Sequence, residues 1–511
     1  MSASDAPDLT GRMSRRELVG VLGGAATLPV HKDWWAQVRA PRPPLREDSL
    51  HYMPLSQVAR LIETGEVSPV EVTRQILNRI ASIDGALQSY VTVTAELALS
   101  SARAAEAEIR AGRYRGPLHG MPIGVKDLCY TKGVRTMAGT TVLSDFVPDY
   151  DATAVARLRA VGAVMLGKLT LCEGAMGPYH PRLAVPVNPW DAARWSGVSS
   201  SGSGVATAAG LCFASIGTDT GGSIRYPSAA NGCVGLKPTY GRVSRHGVLA
   251  LAESLDHVGP MTRSVEDAAI MFDAMAGYDP ADPTSRPEPL QPVRPELARG
   301  IRGLRVGVDR AYCSDGVEPQ VVSALESVLH QLSELGAEIV EVRMPDVAPV
   351  GAAWWELATA EATAVHASTY PSRAGDYGPG FRAVLEYGAG VRGVTYANAA
   401  RVRAELAGRL EHMLSSVDLM VCPSMSNEAR PKLADPFAPD TDASWASLVL
   451  NDVHTKPFNF SGSPTLSVPC GFSADGLPLS VQFVGPALSE AVICRAGYAY
   501  EQATRWHTLH P

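Results

Sequence analysis

The stretch GTDTGGSIRYPS, Gly217 to Ser228, places a serine directly after two glycines. A glycine pair lets several backbone N–H groups converge on one point. A serine beside it could attack a carbonyl carbon while its own N–H helps hold the oxyanion that forms. Ser223 would need a proton acceptor, yet the surrounding residues are not a G-x-S-x-G elbow and no histidine lies beside it. A second chemical group stands in GMPIGVKD, where Lys126 follows the apolar run Ile123, Gly124, Val125. Burial disfavours the ammonium form, so a lysine there can be neutral near pH 7 and act as a general base. The competing reading is a strand-end lysine paired with Asp127. The third feature is a Gly/Ser cluster, Gly197 to Gly204, ahead of the apolar VATAAGLCFAS. Glycine-rich loops before helices also cradle phosphates, but no G-K-[ST] follows and the G-x-G-x-x-G spacing is absent.

Together these pieces resemble the amidase signature family. GMPIGVKD looks like its lysine motif, GVSSSGSGVA like its glycine-serine run, and GTDTGGSIRYPSAANGCVGLKPTYGRVS like its nucleophile block. KPFNFSGSPTLSVPCGFSADGLPLSVQFVG is similar to its C-terminal block, so the likeness runs from about residue 50 to the end and diverges in the middle loops. The resemblance implies an α/β amidase signature fold, a central mixed β-sheet with helices on both faces. It implies catalytic roles for Lys126, Ser199 and Ser223. Ser223 would be the nucleophile. Ser199, after a cis Val198–Ser199 bond, would relay the proton to Lys126. The N–H groups of Thr220, Gly221, Gly222 and Ser223 would form the oxyanion hole. Ser200 is expected to bond backbone near the lysine, and Asp219 and Arg225 to pair and brace the loop. Ser201 and Ser203 read as loop-formers, and His246 and His257 as structural or surface residues. Val198 and Ser201 stand where the family usually has glycine, and Gly204 where it has other small residues.

The activity implied is hydrolysis of the C–N bond of carboxylic amides through an acyl-enzyme, with aryl amides and carbamates (urethanes) as candidate substrates. Two alternatives stand beside it: the glutamine-hydrolysing A subunit of a tRNA-dependent amidotransferase, and an inactive family member that binds amides or a partner. The expected partner is a small-molecule amide or carbamate, and the family makes a homodimer a reasonable assembly. No cofactor is called for, and no His/Asp/Glu cluster has metal-ligand spacing. Residues 173–191, 354–371 and 424–448 are candidate substrate loops. Their Tyr179, Trp354, Trp355 and Phe437 would either line an apolar site or pack the core.

The elements that must hold these groups follow a helix-and-strand alternation, which gives the α/β class. Ser68-Pro69 should start a helix, AELALSSARAAEAEIRAG should form another that stops at Gly112, and DATAVARLRAVGAVMLGKL reads as helix, Gly162 break and buried strand. GLRVGVDR and GAEIVEVRMP flank VEPQVVSALESVLHQLSELG as a strand-helix-strand unit. Residues 278–296 form a proline-rich surface connector, and 340–450 reads as the most irregular part.

The 511 residues are 46% hydrophobic, enough for a large core, and carry a formal net charge of −7 without a basic block, which argues against nucleic acid as a ligand. Eight cysteines without a C-x-x-C pair read as reduced core thiols. At the N-terminus Arg15-Arg16 precede an apolar stretch, Leu18 to Val30, too short to span a bilayer. Residues 1–40 therefore resemble a twin-arginine export leader, with a packed or disordered surface segment as the alternative, and 48–511 read as one amidase signature domain. Export would place the protein in the periplasm or outside the cell; otherwise it is cytoplasmic.

Overall fold

The computed structural model describes residues 50–437 and 453–511. The leader expected over 1–40 and residues 438–448 of the third candidate loop lie outside them. Eleven strands form one mixed sheet: β1 (Tyr90–Val93), β2 (Pro122–Lys126), β3 (Val164–Leu169), β4 (Ala214–Asp219), β5 (Val234–Lys237), β6 (His257–Thr262), β7 (Arg305–Val308), β8 (Glu338–Glu341), β9 (Leu419–Pro423), β10 (Thr465–Phe472) and β11 (Pro478–Val484). Their order is β1-β3-β2-β4-β6-β5-β10-β11-β9-β7-β8. β2 runs parallel to β3 and β4, and β7 parallel to β8 and β9; the other pairs are antiparallel. Helices flank the sheet. Every residue of β2, β3, β4 and β6 is buried, as expected for central strands covered on both faces. The edge strands β1 and β8 are partly exposed.

Local chemistry explains the expected elements. The helix Pro69–Leu87 starts where Ser68 accepts a hydrogen bond from the Glu71 N–H (3.0 Å), with proline at the first position. The helix Ala95–Arg110 ends just before Gly112, and the helix Thr153–Ala160 reaches β3 through Gly162; both glycines have positive φ. The helix Pro319–Glu334 joins β7 to β8, the expected strand-helix-strand unit. All eight cysteines are buried, and none is in a disulfide. Among the described residues no helix is long and apolar enough to cross a membrane.

Two expectations are corrected. Ser201 and Ser203 are not loop residues but open the buried helix Ser201–Ala208. The described part of the stretch, 340–437, is about half helical, with helices Val350–Val365, Pro379–Ala389 and Gly393–Leu414 packed together. Gly388, inside the second of these helices, marks a close approach. A Cβ there would lie 2.1 Å from the carbonyl oxygen of Thr359 on the neighbouring helix.

Candidate active site

Lys126 ends β2, between β3 and β4, and is completely buried. Successive strand residues point to opposite faces, so Lys126 and Asp127 part company. The Asp127 carboxylate lies 3.6 Å from the Lys168 ammonium, whereas the Lys126 Nζ donates to Ser199 Oγ (2.7 Å) and Thr218 Oγ1 (2.8 Å). Neither of those partners is charged. Burial pushes the Lys126 pKa down to about 8, against small upward pulls from nearby thiols, Asp219 and Asp256. Thr218 is a partner that the sequence does not announce. It reaches the lysine because β4 lies beside β2.

The Val198–Ser199 peptide bond is cis. Ser200 bonds the Thr218 backbone both ways, donating to its carbonyl (3.2 Å) and accepting from its N–H (3.3 Å). Ser201, in place of the family's glycine, accepts from the Tyr179 hydroxyl (2.7 Å), and Ser203 donates to the Ile216 carbonyl (3.0 Å). Ser200 and Ser203 thus latch the glycine-serine run onto β4, while Ser201 ties it to Tyr179, a bond that glycine could not make. Ser223 is brought to the same place, its carbonyl accepting from the Ser200 N–H (3.3 Å). Its side chain is half-buried and lines a cavity of about 530 Å³. Among the described residues its hydroxyl makes no hydrogen bond, to Ser199 or to any other group.

Asp219 organises the turn that carries Ser223. Its carboxylate accepts from the N–H groups of Gly222 (2.8 Å) and Ile224 (3.1 Å), and from Arg225 Nε (3.0 Å) and Nη2 (2.9 Å). Burial opposes the charge, but the Arg225 guanidinium, Lys237 and the Asn459 amide hold the carboxyl far below the usual carboxylate range. Arg225 is fully buried and also donates to the Thr455 carbonyl (2.8 Å) and Asn459 Oδ1 (2.6 Å). Of the four N–H groups expected to face an oxyanion, that of Gly222 donates to Asp219. Thr220, Gly221 and Ser223 remain, and these three line the cavity. Gly222 itself has φ 135°, and a Cβ would meet the Tyr226 ring at 2.3 Å.

Residues far along the chain fix the same turn. Trp354 Nε1 donates to the Thr220 carbonyl (2.9 Å), Thr455 Oγ1 to the Gly221 carbonyl (2.6 Å), and Thr220 Oγ1 to Asp256 (2.5 Å). Of the four aromatics in the candidate loops, Trp354 lines the Ser223 cavity and Tyr179 a second one of about 320 Å³. Trp355 packs on Tyr387 instead, and Phe437 lines neither cavity. His257 is buried against backbone carbonyls, its pKa driven well down by burial and by Lys237, and His246 stacks on Tyr150.

The buried lysine, the serine run latched to β4 and the eleven-stranded sheet together define a class of amide-cleaving enzyme. The Amidase family model matches residues 71–494, and the chain belongs to this family of hydrolases acting on amides. AmiD of Mycobacterium tuberculosis, whose name assigns it provisionally as an amidase, is 46% identical over 469 residues, covering 92% of this chain and 98% of that protein. The A subunit of the Glutamyl-tRNA(Gln) amidotransferase of Chloroflexus aggregans is 40% identical over 490 residues, covering 90% and 98%. Among solved structures, the peptide amidase PAM bound to chymostatin has a TM-score of 0.79 at 32% identity, covering 89% of this chain and 98% of that one.

Proposed function

We propose that the protein is a free-standing amidase in which Ser223 is the nucleophile and neutral Lys126 the base, acting through Ser199. The observation that carries this reading is a lysine with no exposure, a pKa of about 8 and two hydroxyl partners, one of them Ser199 at 2.7 Å. Ser199 gives its proton to Lys126 Nζ and takes one from Ser223 Oγ, since a hydroxyl donates and accepts at once. Ser223 Oγ turns from the cavity toward Ser199 as substrate enters; such contacts often tighten only in the substrate complex. Oγ then bonds to the amide carbon. The oxyanion falls to the N–H groups of Thr220, Gly221 and Ser223, each worth about 3 kcal/mol to the transition state. The relay returns a proton to the leaving nitrogen, the C–N bond breaks, and water hydrolyses the acyl-enzyme by the same route.

The cavity favours an apolar, aryl-sized group, because Met176, Trp195, Tyr226, Leu251, Trp354 and Met425 line it. Anilides and aryl carbamates are therefore the substrates to try first. A fluorophosphonate should label Ser223, and Ser223→Ala should abolish both labelling and anilide turnover. Full turnover by that variant would overturn the assignment, and an unlabelled, inactive wild type would mark a binding-only protein. The amidotransferase relatives keep a second reading open, glutamine hydrolysis within a larger complex. Turnover of glutamine but of no anilide would favour it.

A further inference from the structure

Arg430 lines both the cavity at Ser223 and the second cavity, which also share Gly177 and Trp195. Its guanidinium carbon lies 4.8 Å from the centre of the Trp195 ring. Its Nε is buried without a hydrogen-bond partner, and among the described residues no carboxylate lies within ion-pair distance of it. Arg194 nearby is the contrast: Glu428 (3.0 Å), Asp475 (2.6 Å) and Asp191 (3.6 Å) surround it. Burial lowers the Arg430 pKa to about 10, so the group stays a cation at neutral pH while bearing an uncompensated desolvation cost. Stacking on an indole offsets part of that cost and fixes the plane of the guanidinium, leaving its fork of donors for an anion.

We propose that the substrates are amides bearing a carboxylate on the arm that reaches the Trp195–Arg430 junction, and that Arg430 selects them. This rests on Ser223 being the nucleophile, because the junction is defined by its place on the wall of the Ser223 cavity. The apolar walls of the Ser223 cavity, among them Met176, Tyr226 and Met425, take the hydrocarbon part of the arm between the amide and the carboxylate. A planar carboxylate suits the guanidinium in a two-point contact, which a neutral isostere cannot make.

Two matched pairs locate the carboxylate on either arm. The monoanilide of a dicarboxylic acid is compared with the methyl-ended alkyl anilide, and 4-acetamidobenzoate with 4-methylacetanilide. In at least one pair the acid should have the higher kcat/KM by about tenfold or more, mostly through KM. Arg430→Met should collapse that ratio toward one, and Arg430→Lys should restore part of it. Independently of turnover, Ser223→Ala protein should bind 4-acetamidobenzoate or a monoanilide by calorimetry, and the added Arg430→Met change should remove the binding. Equal handling of acid and neutral members in both pairs, or a ratio that survives Arg430→Met, overturns the proposal while leaving the amidase reading standing. Loss of all turnover with carboxylate binding intact does the reverse.

Discussion

Replacing Lys126 by methionine separates its amine from its bulk. Methionine fills the same buried slot without opening a cavity, but it cannot accept a proton from Ser199, 2.7 Å from Nζ in the wild type. With a pKa of about 8, roughly one lysine in ten is neutral at pH 7 and about nine in ten at pH 9. If the neutral amine is the base, kcat/KM of the wild type on an anilide should rise about tenfold between these pH values and level off above them. Lys126→Met should be slower by about 10²–10⁴-fold, with no rise in that window. The assay is initial-rate release of an aniline across pH 6 to 10, with melting curves at each pH to show that both proteins stay folded. A wild-type limb near the histidine range, a flat wild-type profile, or a methionine variant keeping more than a tenth of the activity would refute the reasoning. The first result would point to another titrating group, and the others to a lysine that only fills space.

Two further outcomes follow from the same charges. Lys126 titrates at about 8 when folded and at 10.5 when exposed, so between those values the unfolded chain holds a proton that the folded one has lost. Burying the ammonium therefore penalises folding fully below about pH 8, and the wild type should gain about 3 kcal/mol on Lys126→Met as pH rises to about 10.5. Denaturant midpoints at pH 7 and pH 10 read this, and an unchanged difference between the two proteins would count against a depressed lysine. Arg225→Met should lower activity and move the pH–rate limb to higher pH, because an unpaired Asp219 carboxylate raises the lysine pKa; a limb that stays in place would confine Arg225 to bracing the turn.

Much of the candidate site can be proposed from the sequence because its residues lie in short contiguous runs. Lys126 after an apolar strand and a serine after paired glycines each point to the proposed chemistry within a few residues. The helix at Pro69 is equally local, since its cap and its first-turn proline are adjacent in sequence. What cannot be read there depends on which strands become neighbours. Thr218 looks like any threonine until β4 lies against β2 and its hydroxyl meets Nζ. Trp354, Thr455 and Asn459 reach the Ser223 turn from 134, 234 and 240 residues away, and no spacing rule carries that far. The Gly222 N–H escapes for a different reason: composition cannot tell which amide an aspartate three residues earlier will claim. In the helical stretch after 350, glycines chosen for close packing mimic the glycines of loops.

The charges around Ser223 divide the labour in a way that makes a neutral Lys126 tenable. A carboxylate touching Lys126 would stabilise its ammonium and destroy it as a base near neutral pH, and the two groups that do touch it are hydroxyls. The turn nevertheless needs a carboxylate, because Asp219 gathers two backbone N–H groups that would otherwise be buried without partners. Arg225 resolves the conflict. It places a full positive charge within 2.9 Å of that carboxylate, so the pair presents the lysine with little net charge. A neutral asparagine at 219 could accept one of those N–H bonds but has no second oxygen for the other, so the turn would loosen while the lysine was spared. The arginine therefore has an electrostatic task as well as a structural one: it offsets the anion that shapes the Ser223 turn, and the upward pull that Asp219 still exerts on Lys126 one strand away is outweighed by burial.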